Sequence, residues 1–188
     1  MTFHVLNVYR ATPGSILARD VVARPVGRLD LLDLDEPRIG TLAGSVPGVA
    51  QFIPWLRAGY RGLLLAENSA WVCVGWLATP ASPPPVHLRN GGAYWIFNCH
   101  TRADRRGEGH YQRMLVGLVQ LAARLGCADE EGIFVDALAS NAPAVAAIER
   151  VGFRRVGTII QVEISRLGLR LTVPIGLPRN RTGVPGPG

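Results

Sequence analysis

From Ala93 to Gly126 the chain reads AYWIFNCHTRADRRGEGHYQRMLVGLVQLAARLG, and no other stretch restricts the fold as much. Its opening is aromatic and β-favouring, as a strand requires. Its second half sets Met114, Leu115, Leu118, Leu121, Ala122 and Leu125 at i, i+3/i+4, i+7 spacing. That spacing predicts an amphipathic helix of about 15 residues, which Gly126 stops. Two glycines and a cluster of arginines lie between strand and helix. The next apolar run, GIFVDAL, predicts another strand. Strand, helix and strand in this order give a parallel crossover and hence an α/β sheet.

The flanks add elements to that unit. GLLLAE and AWVCVGWLAT, joined at Asn68-Ser69, predict a β-hairpin. FHVLNVYRA predicts a first strand. Val49, Phe52, Ile53 and Leu56 predict a helix kinked at Pro54. LDLLDLDE has no clear period, and Pro37 should end whatever it forms. The loop ATPASPPPVH is too rich in proline for a helix or a central strand. A second helix is expected over about Ala142 to Val151. Ser140 or Asn141 would cap it, Pro143 sits in its first turn, and Gly152 ends it. Two strands then follow, with a turn near Gly168. Strand alternation sends Trp95, Phe97 and Cys99 to one face and Tyr94, Ile96 and Asn98 to the other. The reading is one domain over residues 1–178 and a disordered tail over 179–188.

Composition narrows the chemistry. The 188 residues are 48% hydrophobic and 18% charged, a globular balance. All 20 basic side chains are arginine. Without lysine there is no Walker-type phosphate loop and no Schiff base. The arginine, alanine, glycine and proline bias is that of a GC-rich bacterial genome. Three widely spaced cysteines, Cys73, Cys99 and Cys127, fit neither a disulfide framework nor a metal site. With no apolar run of membrane-spanning length and no secretory signal, the expectation is a cytoplasmic protein with no metal and no membrane partner. The net charge of +6 suits an acidic ligand or a solvated surface, and nucleic acid is not the expected partner.

A strand that feeds a glycine-rich turn into a helix N-terminus is an anion-binding design. The first helical amides have no intrahelical partner, the helix dipole is positive there, and glycine permits close approach. A dinucleotide fingerprint fails, because HYQRML follows Gly109 with no third glycine. What remains, Arg106-Gly107-Glu108-Gly109-His110-Tyr111, resembles the pyrophosphate loop of the GNAT superfamily, the acyl-CoA-dependent N-acyltransferases. Their loop reads Q/R-x-x-G-x-G/A. A second block, SNAPAVAAIERVGFRRVG, is similar to the family's later helix, with Asn141, Ala144, Glu149, Gly152 and Phe153 in register. The two blocks and the segment between them span about a third of the chain, and the element pattern extends the likeness over residues 60–165.

The resemblance implies a GNAT-like α/β fold. Its sheet is mixed but mostly antiparallel, flanked by helices, with a CoA cleft at the glycine loop before the central helix. It implies acetyl-CoA or another acyl-CoA as co-substrate and a small-molecule amine as acceptor; a homodimer is compatible with it. Gly107, Glu108, Gly109, His110 and Tyr111 would hold the pyrophosphate through their amides, and Arg106 would flank it. Cys99, His100 and Thr101 would pair their backbone with the pantetheine arm. Asn141 would sit near that arm or an ordered water. The chain departs from the family in three places. Tyr111 replaces a small residue, Ile148 stands where many members carry a proton-donating tyrosine, and Trp95 stands near the frequent acidic residue. Three readings follow: catalysis without a dedicated acid, another group such as Tyr111, His100 or Glu67 in its place, or a non-catalytic acyl-CoA-binding or regulatory protein. His110, Cys99 and Tyr94 are further neighbours, each with a plain structural alternative. The first class, N-acyl transfer to a primary amine by direct attack, is the expected function.

Overall fold

The structure, a computed structural model, describes residues 2–19, 29–42, 44–83, 93–164 and 169–177. Eight strands form one sheet: β1 Thr2–Ala11, β2 Leu29–Asp33, β3 Arg61–Glu67, β4 Ala70–Ala78, β5 Tyr94–Thr101, β6 Ile133–Leu138, β7 Arg154–Ile164 and β8 Leu169–Ile175. Their order is β2-β3-β4-β5-β6-β1-β7-β8. β5 and β6 run parallel, and every other neighbouring pair is antiparallel. The mixed, mostly antiparallel sheet flanked by helices is thus the architecture that the sequence implied.

The helices are α1 Pro13–Leu17, α2 Glu36–Thr41, α3 Phe52–Arg57, α4 His110–Arg124 and α5 Ala142–Val151. The α4 helix carries the predicted apolar stripe, and Met114, Leu115, Leu118, Val119 and Ala122 are fully buried against the sheet. Gly75 of β4 makes that approach possible. A Cβ there would lie 2.9 Å from Cys99 Sγ and from the Leu118 and Met114 side chains. Gly126, at φ +91°, follows the last turn as predicted. The α5 helix starts where Asn141 Oδ1 accepts from the Ala144 N–H at 3.3 Å, so Asn141 is the cap. The β3–β4 turn places Asn68 and Ser69 at φ +49° and +65°, the two positive angles of a tight hairpin.

Each face of the sheet has its own core. Under α1, α4 and α5 it is largely aliphatic, with Leu63, Leu77, Ile96, Ile133 and Ile148 among its members. Under α2 and α3 it is aromatic: Phe52 packs edge-on against Trp76 at 5.1 Å, and Trp95 stacks on Phe134 at 5.3 Å.

Three expectations need correction. Pro37 does not end an element. Asp35 caps α2 by accepting from the Arg38 N–H at 2.8 Å, and Pro37 lies in the first turn, where no N–H is needed. Pro54 likewise sits in the first turn of a short α3 and kinks nothing; residues 49–51 form a separate 3₁₀ turn. The strand expected at FHVLNVYRA is present as β1 and lies between β6 and β7. Finally, β5 gains one residue relative to β4, since Val74 pairs with His100 but Trp76 with Phe97. Asn98, at φ +48°, absorbs the bulge. Alternation fails beyond it, so Cys99 packs on the α4 face while Trp95 and Phe97 keep to the other. The α1 turn, with a Thr12–Ser15 capping box, was not expected. The predicted tail, the turn near Gly168 and residues 84–87 of the proline loop lie outside the described residues.

Candidate active site

β5 and β6 pair only at Tyr94–Ile133, Trp95–Phe134 and Ile96–Val135. Beyond that point β5 continues along β4, and β6 continues along β1. The strands part, and the edge of β5 from Phe97 to Thr101 faces a gap with no neighbouring strand among the described residues. Backbone groups left this way accept an extended ligand as a further strand. His100 and Thr101, two of the expected pantetheine partners, lie on this edge together with Cys99.

The glycine loop lies beyond the end of the same strand. Gly107 and Gly109 adopt φ +84° and +78°, angles that side-chain-bearing residues adopt at a cost. Gly109 is the N-cap of α4 and supplies no side-chain cap. The Arg113 N–H is the first to bond back, to the Gly109 carbonyl at 3.1 Å. The amides of His110, Tyr111 and Gln112 therefore stay available, at the positive end of a 15-residue helix.

The arginines around this loop are not equivalent. Arg105 pairs with Glu67 at 2.5 Å and with Glu108 at 3.1 Å, and both contacts raise its pKa. Glu108 also meets His110 Nε2 at 2.9 Å. Arg102 pairs with Asp104 at 2.7 Å. Arg106 alone of the three has no carboxylate partner among the described residues; its Nε reaches the Thr101 carbonyl at 3.4 Å. Glu67, a candidate base, is thus bound to the loop. Its hydrogen bond to Arg105 holds its pKa below the ordinary 4.5. The chain Glu67–Arg105–Glu108–His110 ties the hairpin to the helix N-terminus and spends the charge of Arg105 internally.

The other candidates fall into two groups. His100 is half-buried, and its Nε2 donates to Asn98 Oδ1 at 3.0 Å. Burial, then Arg106, lowers its pKa, so it is neutral near pH 7. Tyr111 packs beside the aliphatic core, and burial raises its hydroxyl well above its ordinary value. It lies in the first turn of α4, partly buried, and its hydroxyl makes no hydrogen bond among the described residues. Other candidates are occupied by structure. Thr101 Oγ1 contacts Cys73 Sγ at 3.3 Å, so only its backbone is offered. Cys99 is pressed against Gly75 and α4, and burial pushes its thiol pKa up. Tyr94 donates to the Leu125 carbonyl at 2.9 Å. His110 is 3% exposed under the loop. Asn141 is exposed and occupied as a cap. Ile148 is fully buried in the aliphatic core.

Sequence reasoning missed Asp136. It is the first residue of β6 past the last β5–β6 pair, and its Oδ1 accepts from the Trp95 indole N–H at 2.7 Å. The family's frequent acidic residue would fall near Trp95; the structure places the Asp136 carboxylate beside that tryptophan's indole. The lone polar residue in IFVDAL was the available signal. Among the described residues no cluster of three His, Cys, Asp or Glu side chains could hold a metal ion. No helix there is long and apolar enough to cross a membrane.

No family model matches the chain, and no curated protein matches it in sequence. Solved structures do match it. A GNAT-family acetyltransferase from Colwellia psychrerythraea aligns with TM-score 0.60 at 14% identity, over 85% of this chain and 56% of its own. A GNAT-family putative acetyltransferase from Novosphingobium aromaticivorans aligns with TM-score 0.55 at 17% identity, over 85% and 63%. The aminoglycoside N-acetyltransferase AAC(6')-Iy, solved with CoA, aligns with TM-score 0.55 at 10% identity, over 67% and 92%. This chain spans little more than half the length of the first. The parted strands, the glycine loop at the helix N-terminus and these neighbours agree: the chain has the fold of the GNAT acetyltransferases.

Proposed function

We propose that the chain is an acyl-CoA-dependent N-acyltransferase that moves an acyl group, acetyl first among them, to a primary amine of a small molecule. The observation that carries this reading is the row of unpaired amides at the start of α4, set just beyond the open edge of β5. Pyrophosphate fits the first and an extended pantetheine fits the second. Arg106 supplies the formal charge at the phosphates. AAC(6')-Iy, a neighbour in fold, has been solved with CoA and with a CoA bisubstrate analogue.

In this reading the thioester lies at the gap, its carbonyl polarised by backbone amides of β5. The amine attacks directly, and the Tyr111 hydroxyl, protonated across the neutral range, delivers a proton to the departing thiolate. A positioned acid of this kind contributes about 10²–10⁴-fold. The burial of Ile148 and the lack of an acid at Trp95 favour a second reading, a protein that binds acyl-CoA without turnover.

Two measurements test the proposal. Acetyl-CoA consumption with a panel of primary amines separates the two readings. Gly109→Val puts a β-branched side chain at φ +78° beside the phosphate site. CoA affinity should fall at least ~10-fold, or about 1.4 kcal/mol. An unchanged Kd in a folded variant would give the loop another role.

A further inference from the structure

One end of the sheet leaves an apolar face uncovered. Nine large hydrophobic residues are exposed among the described residues, and five of them stand together: Phe3 and Val5 of β1, with Leu171, Val173 and Ile175 of β8, at 43–59% exposure. The ladders put them on one face. Phe3 pairs with Val162, and Val162 with Leu171; Val5 pairs with Ile160, and Ile160 with Val173. Residues opposite one another in antiparallel strands project the same way, so these are two apolar rows three strands wide, and Ile175 extends them. Leu6, Val8 and Ile159, which alternate with them, belong to the core under α2 and α3. The rows therefore lie on the other face, where Tyr9 and Ala11 further along β1 are buried in the core of α1, α4 and α5. The cover ends partway along β1.

We infer that this face docks a second copy of the chain, the two β1–β7–β8 surfaces packing on each other about a two-fold axis. Charge favours this occupant. The chain carries a net charge of +6, yet no ionisable side chain stands within the two rows. A two-fold axis sets a patch against itself, so a charge inside it would meet its own like, and an uncharged apolar patch meets only its complement. Arg155 stands at the rim, donating to Thr158 Oγ1 at 2.9 Å opposite Ile175. An apolar centre with a polar rim is the anatomy of an interface. The rows expose on the order of 500 Å² per copy, large for a surface without a role. Two copies thus cover on the order of 1,000 Å² from the rows alone, the floor for a specific contact. Sheets stack about 10 Å apart with interleaved side chains, and rows of this kind suit that packing. β8 is the last strand of the sheet and four strands from β5, so docking there stands apart from the acyltransferase reading.

Sedimentation equilibrium of the full chain at micromolar concentration should give a dimer. Leu171→Glu with Val173→Glu places two charges in the rows, repeated by the partner, and should raise the dimer Kd at least ~100-fold. Leu171→Thr with Val173→Thr keeps strand-forming residues, should raise that Kd ~10-fold, and serves where the charged variant does not fold. Thr172→Glu, on the opposite face of the same strand, should leave the dimer intact. A parent that stays monomeric, or a dimer that the variants at 171 and 173 do not weaken, overturns the inference. Equal weakening by Thr172→Glu also overturns it, and moves the contact to the open edge of β8. A monomeric parent that sediments with phosphatidylglycerol vesicles overturns it in favour of a lipid surface.

Discussion

On the α4 side of the gap the groups offered to a ligand are backbone: the amides of residues 110–112 and the edge of β5. On the opposite side the groups are side chains already bonded to one another: Asp136 to Trp95, and the rings of Phe97, Trp55 and Tyr60 edge-on. The two sides differ in what they demand of sequence. A backbone site needs residues that free the main chain, so it leaves a short local pattern such as Arg106-Gly107-Glu108-Gly109. A side-chain site gathers residues from α3, β5 and β6, and no local pattern records it.

The largest effect that would sharpen this contrast is catalytic. Tyr111→Phe keeps the ring packed on the core and removes only the hydroxyl. The expected result is a kcat lowered ~10²-fold with CoA affinity intact. A variant within about twofold of the parent would reduce the α4 side to binding alone.

A smaller effect distinguishes the arginines. Arg106→Ala should weaken CoA binding ~10-fold, because that guanidinium has no carboxylate partner among the described residues, and should leave the Tm unchanged. Arg105→Ala should do the reverse: it strands Glu67 and Glu108, so the Tm should fall. Equal loss of CoA affinity in both would show that the ion-paired cluster also contacts the phosphates.

The smallest effect is on pH dependence. Hydrogen bonding to Arg105 lowers the pKa of both Glu67 and Glu108 from an ordinary 4.5. A depressed carboxylate stabilises the fold fully above its unfolded-state pKa and loses that contribution as pH falls through its folded value. The Tm should therefore decline below about pH 4.5, and more shallowly in Arg105→Ala. Parallel declines, read by calorimetry between pH 3 and 6, would place the acid sensitivity elsewhere.

Much of the fold was legible because local signals agreed. The α4 stripe, the Asn68-Ser69 turn, and the Asn141 and Gly152 ends of α5 each follow from nearby residues. What escaped depended on distant ones. Pro37 and Pro54 read as breakers, although proline is equally at home in a first helical turn, and only the position of the cap decides which applies. The β5 bulge could not be seen from YWIFNCHT alone, since it exists only in register with β4. At the site, Gly107, Gly109 and Arg106 stand where the loop pattern suggested. The engagement of Arg105 by Glu67, 38 positions away, was invisible. So was the hydrogen bond from Trp95 to Asp136, because the two meet only when β5 and β6 lie side by side.

The interior place of β1 has a consequence for how the chain reaches this state. Leu6 pairs with Leu138 on one edge and with Ile159 on the other. Neither ladder is local: Leu6 lies 132 positions from Leu138 and 153 from Ile159. Closing so long a loop costs entropy before any pairing offsets it, so such topologies fold slowly. Until β1 docks, β6 and β7 expose two open edges. The late intermediate is the aggregation-prone species, and a chain shortened by its first eleven residues should remain trapped there.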